Sequence, residues 1–68
     1  QWGTCSSDAE PAYPVAYQHR PILVGIHGGS DASVNVIEKE QRTNFTSRVS
    51  FLTSYPTSVY ILWIAIGN

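Results

Sequence analysis

The last ten residues, 59–68, constrain this chain more than any other stretch. From Val59 to Ile66 there is no charge and no proline, and β-branched or aromatic side chains dominate. This composition favours a strand over a helix, because branching at Cβ restricts χ1 against a helical turn. A strand sends alternate side chains to opposite faces, and here both faces are apolar. We therefore predict a strand that must be covered on both sides.

The two faces of this predicted strand differ in what can cover them. One face carries Val59, Ile61, Trp63 and Ala65, and the other carries Tyr60, Leu62, Ile64 and Ile66. A domain as small as this one, with 68 residues, buries only about 60% of its unfolded surface. One small core covers one face, so we expect sister chains to cover the other. We place Trp63 and Ala65 at that interface.

Small chains usually need a disulfide, a metal or association to be stable. Cys5 is the only cysteine, which excludes a disulfide within the chain. It either pairs with another chain or stays a buried thiol. His19 and His27 have no second Cys or His at ligand spacing, so we predict no metal site and no cofactor. Association remains as the stabilising factor.

Charge excludes two classes of partner. The net charge is −1, and charged residues make up 13% of the chain, against about 25% in a typical soluble domain. The basic residues are scattered, which argues against nucleic acid and against an anionic membrane surface. They are Arg20, Lys39, Arg42 and Arg48. The C-terminal apolar run is also much shorter than the ~20 residues of a membrane-spanning helix, so we predict no membrane insertion.

Two features favour a secreted protein. The chain starts at Gln1 without an initiator methionine, which is consistent with removal of a signal sequence. Asn44, Phe45 and Thr46 form an N-glycosylation sequon. We therefore expect an extracellular protein in which Asn44 is a candidate glycan acceptor.

The rest of the chain reads as short strands and turns. Residues 1–11 are predicted to form an extended arm or edge strand, with Trp2 packed against the body. Further strands are predicted at 15–17, 22–27, from 34 into a protruding polar segment that ends at 42, at 45–53, and at the C-terminus. Gly25 suggests a bulge or a close approach of another backbone. Gly28-Gly29 and Asn44 suggest turns with positive φ.

This pattern gives five or six strands, turns about every ten residues, and no helix. It predicts an all-β fold, a small antiparallel β-sandwich that forms a single domain over residues 1–68.

The residues do not support an enzyme. Cys5, the histidines and the aspartates include the types needed for nucleophilic catalysis, but no spacing requires them to meet. Glu38 and Glu40 share a strand face, which we interpret as a solvated strand end rather than a glycosidase pair. We predict a binding or structural protein.

A sugar site combines apolar or aromatic walls with a few fixed polar groups. Aromatic residues near predicted loops are Trp2, Tyr13, Tyr17 and Tyr55. Polar residues in or beside turns are Asp8, Asp31, Asn35 and Arg42. Asp8 and Asp31 would also serve to stabilise their own turns, and Tyr55 would also cover the end of the core.

The chain resembles the H-type lectin domain, the family of snail agglutinins and of discoidin C-terminal domains. The resemblance is most specific at residues 63–67, Trp-Ile-Ala-Ile-Gly, and covers roughly residues 13–68. Tyr17 and Pro21 precede an apolar strand, residues 30–33 form an Asp-containing loop, and Asn44-Phe45 stands where the family usually has Gly-Phe. No arginine occupies the opening of the strand that follows Asp31, where snail lectins carry one, and the loop before the last strand lacks the family's Trp and His.

The resemblance implies a six-stranded antiparallel sandwich that assembles as a homotrimer, sometimes a hexamer. It also implies binding of galactose or N-acetylgalactosamine glycans between subunits, without catalysis. Placed by order along the chain, the sugar site falls at Asp8, Asp31, Asn35, Ser54 and Tyr55. The alternative function is a structural or assembly module, part of a fibre or a coat, that uses the same trimeric sandwich without binding sugar.

Overall fold

A computed structural model describes residues 1–31 and 33–68 of the chain. Across those residues the fold is all-β with antiparallel pairing and no helix. The strands are β1 (Trp2–Ser6), β2 (Ile22–His27), β3 (Val36–Glu38), β4 (Phe51–Thr53) and β5 (Tyr60–Ile66). The prediction of an antiparallel all-β fold is confirmed, whereas the sixth strand is absent from the described residues.

The C-terminal strand β5 lies at the centre of a three-stranded sheet, in the order β1-β5-β2. Both neighbours are antiparallel to it, with Thr4 opposite Leu62 on one side and Ile26 opposite Leu62 on the other. The shorter strands β3 and β4 form a second, two-stranded sheet. The C-terminal apolar run, which constrains the fold most, is thus the central strand of the larger sheet.

The alternation predicted for β5 is confirmed. Its inner face carries the buried side chains, and these form the core together with residues from the other segments. The buried core residues are Tyr13, Leu23, Val49, Phe51, Val59, Ile61, Trp63 and Ala65. The placement of Trp63 and Ala65 at a subunit interface is therefore wrong, because both side chains face this chain's own core.

The N-terminal segment is more structured than an arm. β1 pairs with β5 along its whole length, from Trp2 opposite Ile64 to Ser6 opposite Tyr60, which confirms the edge-strand alternative. Farther along, the Pro11 carbonyl accepts a bond from the Val49 N–H at 2.9 Å, so this segment also pairs with the chain just before β4. Trp2 does not pack against the body, since it is 79% exposed.

The long strand predicted at 45–53 is mostly wrong, because only residues 51–53 form a strand there. Residues 45–47 form a turn in which the Asn44 carbonyl accepts bonds from the N–H groups of Ser47 and Arg48. The guanidinium carbons of Arg20 and Arg42 both lie over the Phe45 ring, 3.9 Å and 4.7 Å from its centroid. Phe45 thus packs against two arginines in a turn rather than in a strand.

Several local predictions are also corrected. Residues 15–17 form no strand, and no described residue, glycine or otherwise, has positive φ. Gly25 sits in an unbroken ladder opposite Trp63 rather than in a bulge, and a phenyl ring approaches it rather than a backbone. The segment after β3 does not protrude, because Arg42 folds back to pair with Glu38 at 2.7 Å and both side chains are largely buried.

Candidate functional site

Three strands of the larger sheet meet at one end of the molecule, where β1 and β2 end and β5 begins. The Ser7 N–H donates to the Val59 carbonyl at 2.9 Å, and the Gly28 N–H donates to the Tyr60 carbonyl at 2.7 Å. Asp8 therefore follows the sheet on one side of β5, and the Gly28–Asp31 loop follows it on the other.

Two loops join this end of the sheet to the smaller sheet, and the first of them contains the Gly28–Asp31 segment. Residues 28–35 run from the end of β2 to the start of β3, and residues 54–59 run from the end of β4 to the start of β5. The start of β3 and the end of β4 are adjacent, because Val36 is opposite Thr53. All five residues predicted for the sugar site consequently lie in loops at one end of the molecule, which we call the loop end.

Tyr60 occupies the centre of the loop end on the outer face of the sheet. It is opposite Ser6 of β1, and its ring lies against Gly28, where any side chain would collide with it. With no side chain at Gly28, the ring rests on the backbone and stays 54% exposed. The sequence analysis does not predict Tyr60 as a site residue, because Tyr60 stands inside the apolar run and its pattern indicates only a strand face.

Asp8 lies on the β1 side of Tyr60. One oxygen of its carboxylate, Oδ1, accepts a hydrogen bond from the Ser6 hydroxyl, and Ser6 is itself the cross-strand neighbour of Tyr60. The carboxylate is exposed, and among the described residues Oδ2 has no hydrogen-bond partner. Asp8 thus stabilises its own turn and still has one acceptor oxygen facing solvent.

Asp31 lies on the β2 side of Tyr60. Its Oδ1 accepts two bonds from Ser33, one from the hydroxyl at 2.6 Å and one from the backbone N–H at 2.9 Å. These bonds from the hydroxyl and the backbone of Ser33 lower the pKa of the Asp31 carboxyl below its ordinary value. The residue is therefore ionised at neutral pH, and Oδ2 has no hydrogen-bond partner within residues 1–31 and 33–68. Ala32, in the same loop, lies outside the described residues.

Asn35, Ser54 and Tyr55 form a separate group on the smaller sheet. Asn35 and Ser54 line one hollow of about 370 Å³, whose floor includes the exposed side chains of Ile37 and Leu52. Tyr55 follows directly, with its N–H donating to the Thr53 hydroxyl at 3.2 Å and its side chain 44% exposed. The predicted residues thus form two groups, one on each sheet.

Three other residues considered for sugar contact make contacts within the chain, away from the loop end. Tyr13 is buried, and its ring packs edge-on against Trp63 with 5.6 Å between centroids. The Tyr17 hydroxyl donates to the Ala65 carbonyl at 3.2 Å, far from the start of β5. Arg42 is held by the Glu38 carboxylate and the carbonyls of residues 39 and 48.

Asn44, the candidate glycan acceptor, is half-buried. Its Nδ2 donates to the Glu10 carboxylate at 3.4 Å, and its Oδ1 is enclosed without a partner among the described residues. Cys5 is also half-buried, and burial raises the pKa of its thiol. At neutral pH Cys5 is therefore a neutral thiol.

The outer side of the larger sheet is apolar and exposed. We call it the outer apolar face, and it consists of Trp2, Ile22, Val24, Ile26, Tyr60, Leu62, Ile64 and Ile66. β5 has seven residues. At about 3.3 Å per residue and about 4.8 Å between strands, this face measures roughly 20 by 14 Å, counting side chains at its edges. Monomeric soluble proteins rarely expose so continuous an apolar surface.

The described part of the chain holds no group of three or more His, Cys, Asp or Glu residues arranged to bind a metal ion. Nor does it contain a helix with the length and apolarity needed to cross a membrane. No protein-family model, curated protein or solved structure significantly matches the chain.

Proposed function

We propose that this chain is a subunit of a secreted, multimeric carbohydrate-binding protein that recognises glycans of the galactose or N-acetylgalactosamine type without catalysis. The observation that supports this most directly is the position of Tyr60. It is an exposed aromatic ring at the centre of the loop end, between two loops that each present a carboxylate.

An exposed ring and nearby carboxylates suit the two surfaces of a hexose. The apolar face of the sugar stacks on the ring, and its hydroxyls donate to carboxylate oxygens. Asp8 and Asp31 each have one such oxygen without a hydrogen-bond partner among the described residues, and each is oriented by bonds from neighbouring serines. A ligand therefore meets acceptors that are already fixed in position, which lowers the entropy lost on binding.

Assembly of copies supports the same proposal. Covering the outer apolar face of one copy with another removes several large hydrophobic side chains from water, each contributing about 1.5–3 kcal/mol when fully buried. An interface over the part of this face formed by Trp2, Ile64 and Ile66, away from the loop end, would leave Tyr60 at its rim and exposed. In a trimer or hexamer, loop-end residues of a neighbouring subunit would then complete a site started by Tyr60 and Asp8.

Glycan-array binding of the intact oligomer, followed by titration with free galactose and N-acetylgalactosamine, tests the proposal. Single sites should bind weakly, and the multimer should bind arrays 10² to 10⁴ times more tightly, as expected for multivalency. Tyr60→Ala should reduce binding at least tenfold, whereas Tyr60→Phe, which keeps the ring, should retain most of it. Tyr55→Ala, measured in the same way, tests whether the group on the smaller sheet also contributes to glycan binding.

A folded oligomer that binds no glycan on the array would reject the proposal. It would favour the second candidate, a structural or assembly module of a fibre or coat. The observation that favours this second candidate is the extent of the outer apolar face, which has no role in sugar recognition beyond Tyr60.

A further inference from the structure

The free edge of β1 is a second surface of interest, distinct from the outer apolar face. In the larger sheet β1 has β5 on one side only. The bonds between Gln1 and Ala65, at 2.8 Å and 2.7 Å, fix which backbone groups face inward. Because antiparallel pairs alternate, Gly3 and Cys5 also point to β5, and the N–H and C=O groups of Trp2 and Thr4 point outward.

None of the outward groups of Trp2 and Thr4 has a hydrogen-bond partner within residues 1–31 and 33–68. The strand also lacks the features that normally prevent edge pairing. Its sequence, Trp-Gly-Thr-Cys-Ser, contains no charge and no proline, and its ladder with β5 has no bulge. An uncharged, regular edge of this kind is a template for another strand.

We propose that β1 is an interface between two copies of this chain, in which the β1 strands pair antiparallel about a twofold axis through Gly3. In this register Trp2 of each copy is opposite Thr4 of the other. Four backbone hydrogen bonds form, and only the four outward groups of each strand are used. The two larger sheets become one six-stranded sheet.

The strand that pairs with β1 belongs to a second copy of this chain, because the edge of β1 is complementary to itself. A twofold axis places donors and acceptors of the same two residues against each other, as an isologous interface requires. Gly3 on the axis puts no side chain on the inner side of the contact. On the outer side, the exposed Trp2 rings of both copies extend the outer apolar faces into one surface.

A twofold axis through Gly3 fits the hydrogen bonds of this segment better than an axis through Thr4. An axis through Thr4 would use Ser6, whose carbonyl already accepts the Ala9 N–H at 3.1 Å in the turn after β1. The interface is independent of sugar recognition, and it differs from the stacking of outer apolar faces that the proposed function invokes. Because the edge joins copies in pairs, it predicts assemblies with an even number of copies, so of the trimer and the hexamer it is compatible with the hexamer alone.

Thr4→Pro tests the edge directly, because it removes an outward N–H that β5 does not use. Thr4→Val keeps that N–H and is the matched control. We expect light scattering to give a Thr4→Pro mass half that of the wild type, and an unchanged mass for Thr4→Val. An odd number of copies in the wild type, or equal masses for wild type and a folded Thr4→Pro, would overturn the proposal.

Cross-linking tests the register and does not depend on the proline variant folding. In a Cys5→Ser background, Trp2→Cys and Thr4→Cys are prepared separately and mixed under mild oxidation. The paired positions are about 5.5 Å apart between Cα atoms, within the roughly 4.4–6.8 Å that a disulfide spans. A covalent dimer should form at least tenfold faster in the mixture than in either variant alone. No excess in the mixture would contradict the Gly3-centred pairing.

The variant Ile64→Lys distinguishes assembly through the outer apolar face from assembly through the β1 edge. If faces stack as the proposed function requires, this variant lowers the mass while the cysteine mixture still cross-links. If Ile64→Lys leaves the mass unchanged and the mixture cross-links, face stacking fails and edge pairing stands.

Discussion

The ring of Phe51 lies on Gly25 and thereby joins the two sheets. Its Cε1 and Cζ atoms are each 2.7 Å from the position that a Cβ on Gly25 would take. Phe51 belongs to β4 and Gly25 to β2, so this contact fills the space between the smaller and the larger sheet. A methyl group on residue 25 would also meet Ile61, the fully buried residue at the centre of the core.

Gly25→Ala should therefore lower the free energy of unfolding by about 1–3 kcal/mol, because it overpacks a filled core. Phe51→Leu removes the atoms that collide, so Gly25→Ala should cost less in the Phe51→Leu background than in the wild type. Urea unfolding of the four proteins in this cycle measures the coupling. Additive effects would show that the ring and the glycine do not constrain each other.

Arg42 should matter more for stability than Arg20, although both guanidinium groups stack on Phe45. The Arg42 side chain is 5% exposed and that of Arg20 is 46% exposed. Arg42 donates to the Glu38 carboxylate and to two backbone carbonyls, and a lysine cannot satisfy all three acceptors. Arg42→Lys should cost about 1–3 kcal/mol.

Arg20→Lys is the matched control for Arg42→Lys. Its ion pairs with Glu38 and Glu40 are more exposed, so we expect a loss below about 1 kcal/mol. Thermal and urea unfolding give both values. Equal losses for the two substitutions would contradict the assignment of Arg42 as the buried centre of this cluster.

Glu10 should make stability depend on pH on the acid side. Hydrogen bonds from Asn44 and Ser50, and the charge of Lys39, lower the pKa of its carboxyl. The folded state therefore favours the ionised form. Its contribution is complete above the ordinary glutamate pKa of about 4.3 and is lost as the pH falls through the lower, folded-state pKa.

Glu10→Gln removes that ionisation. We expect wild type to be more stable than Glu10→Gln at neutral pH and the difference to shrink toward zero as the pH falls below the ordinary glutamate range and through the lowered pKa of Glu10. Urea unfolding at a series of pH values tests this. A difference that stays constant from neutral to acid pH would mean that the glutamate charge is not what holds residues 44 and 50 to the N-terminal segment.

The regular elements were predictable from the sequence where one signal dominated. β5 and β2 are uncharged, apolar runs, and their alternation or length identifies them without knowledge of the rest. The strand predicted at 45–53 failed because its alternation was also compatible with a turn. In the structure Phe45 stacks with Arg20 and Arg42, which are 25 and 3 positions away in sequence, a contact that the local pattern does not reveal.

The candidate site was only partly predictable for a similar reason. Asp8 and Asp31 stand out because aspartate beside serine is typical of loops. Tyr60 does not, because its neighbours suggest a strand, and only the register with Ser6 and Gly28 shows that its ring lies at the loop end. The separation of Asn35, Ser54 and Tyr55 from the two aspartates depends on which sheet each residue lies beside, and local sequence does not encode this, since Asp31 and Asn35 belong to the same loop.

The two faces of β5 should respond oppositely to mutation, since Trp63 is buried in the core and Ile64 is half-exposed on the outer apolar face. Trp63→Ala should cost about 3–5 kcal/mol in unfolding free energy, because it leaves a large cavity beside Tyr13. Ile64→Thr should change the stability of the dilute chain by less than about 1 kcal/mol. Unfolding and light scattering on the same samples separate the two effects. A mass lowered by Trp63→Ala without loss of folding stability would restore Trp63 to a subunit interface.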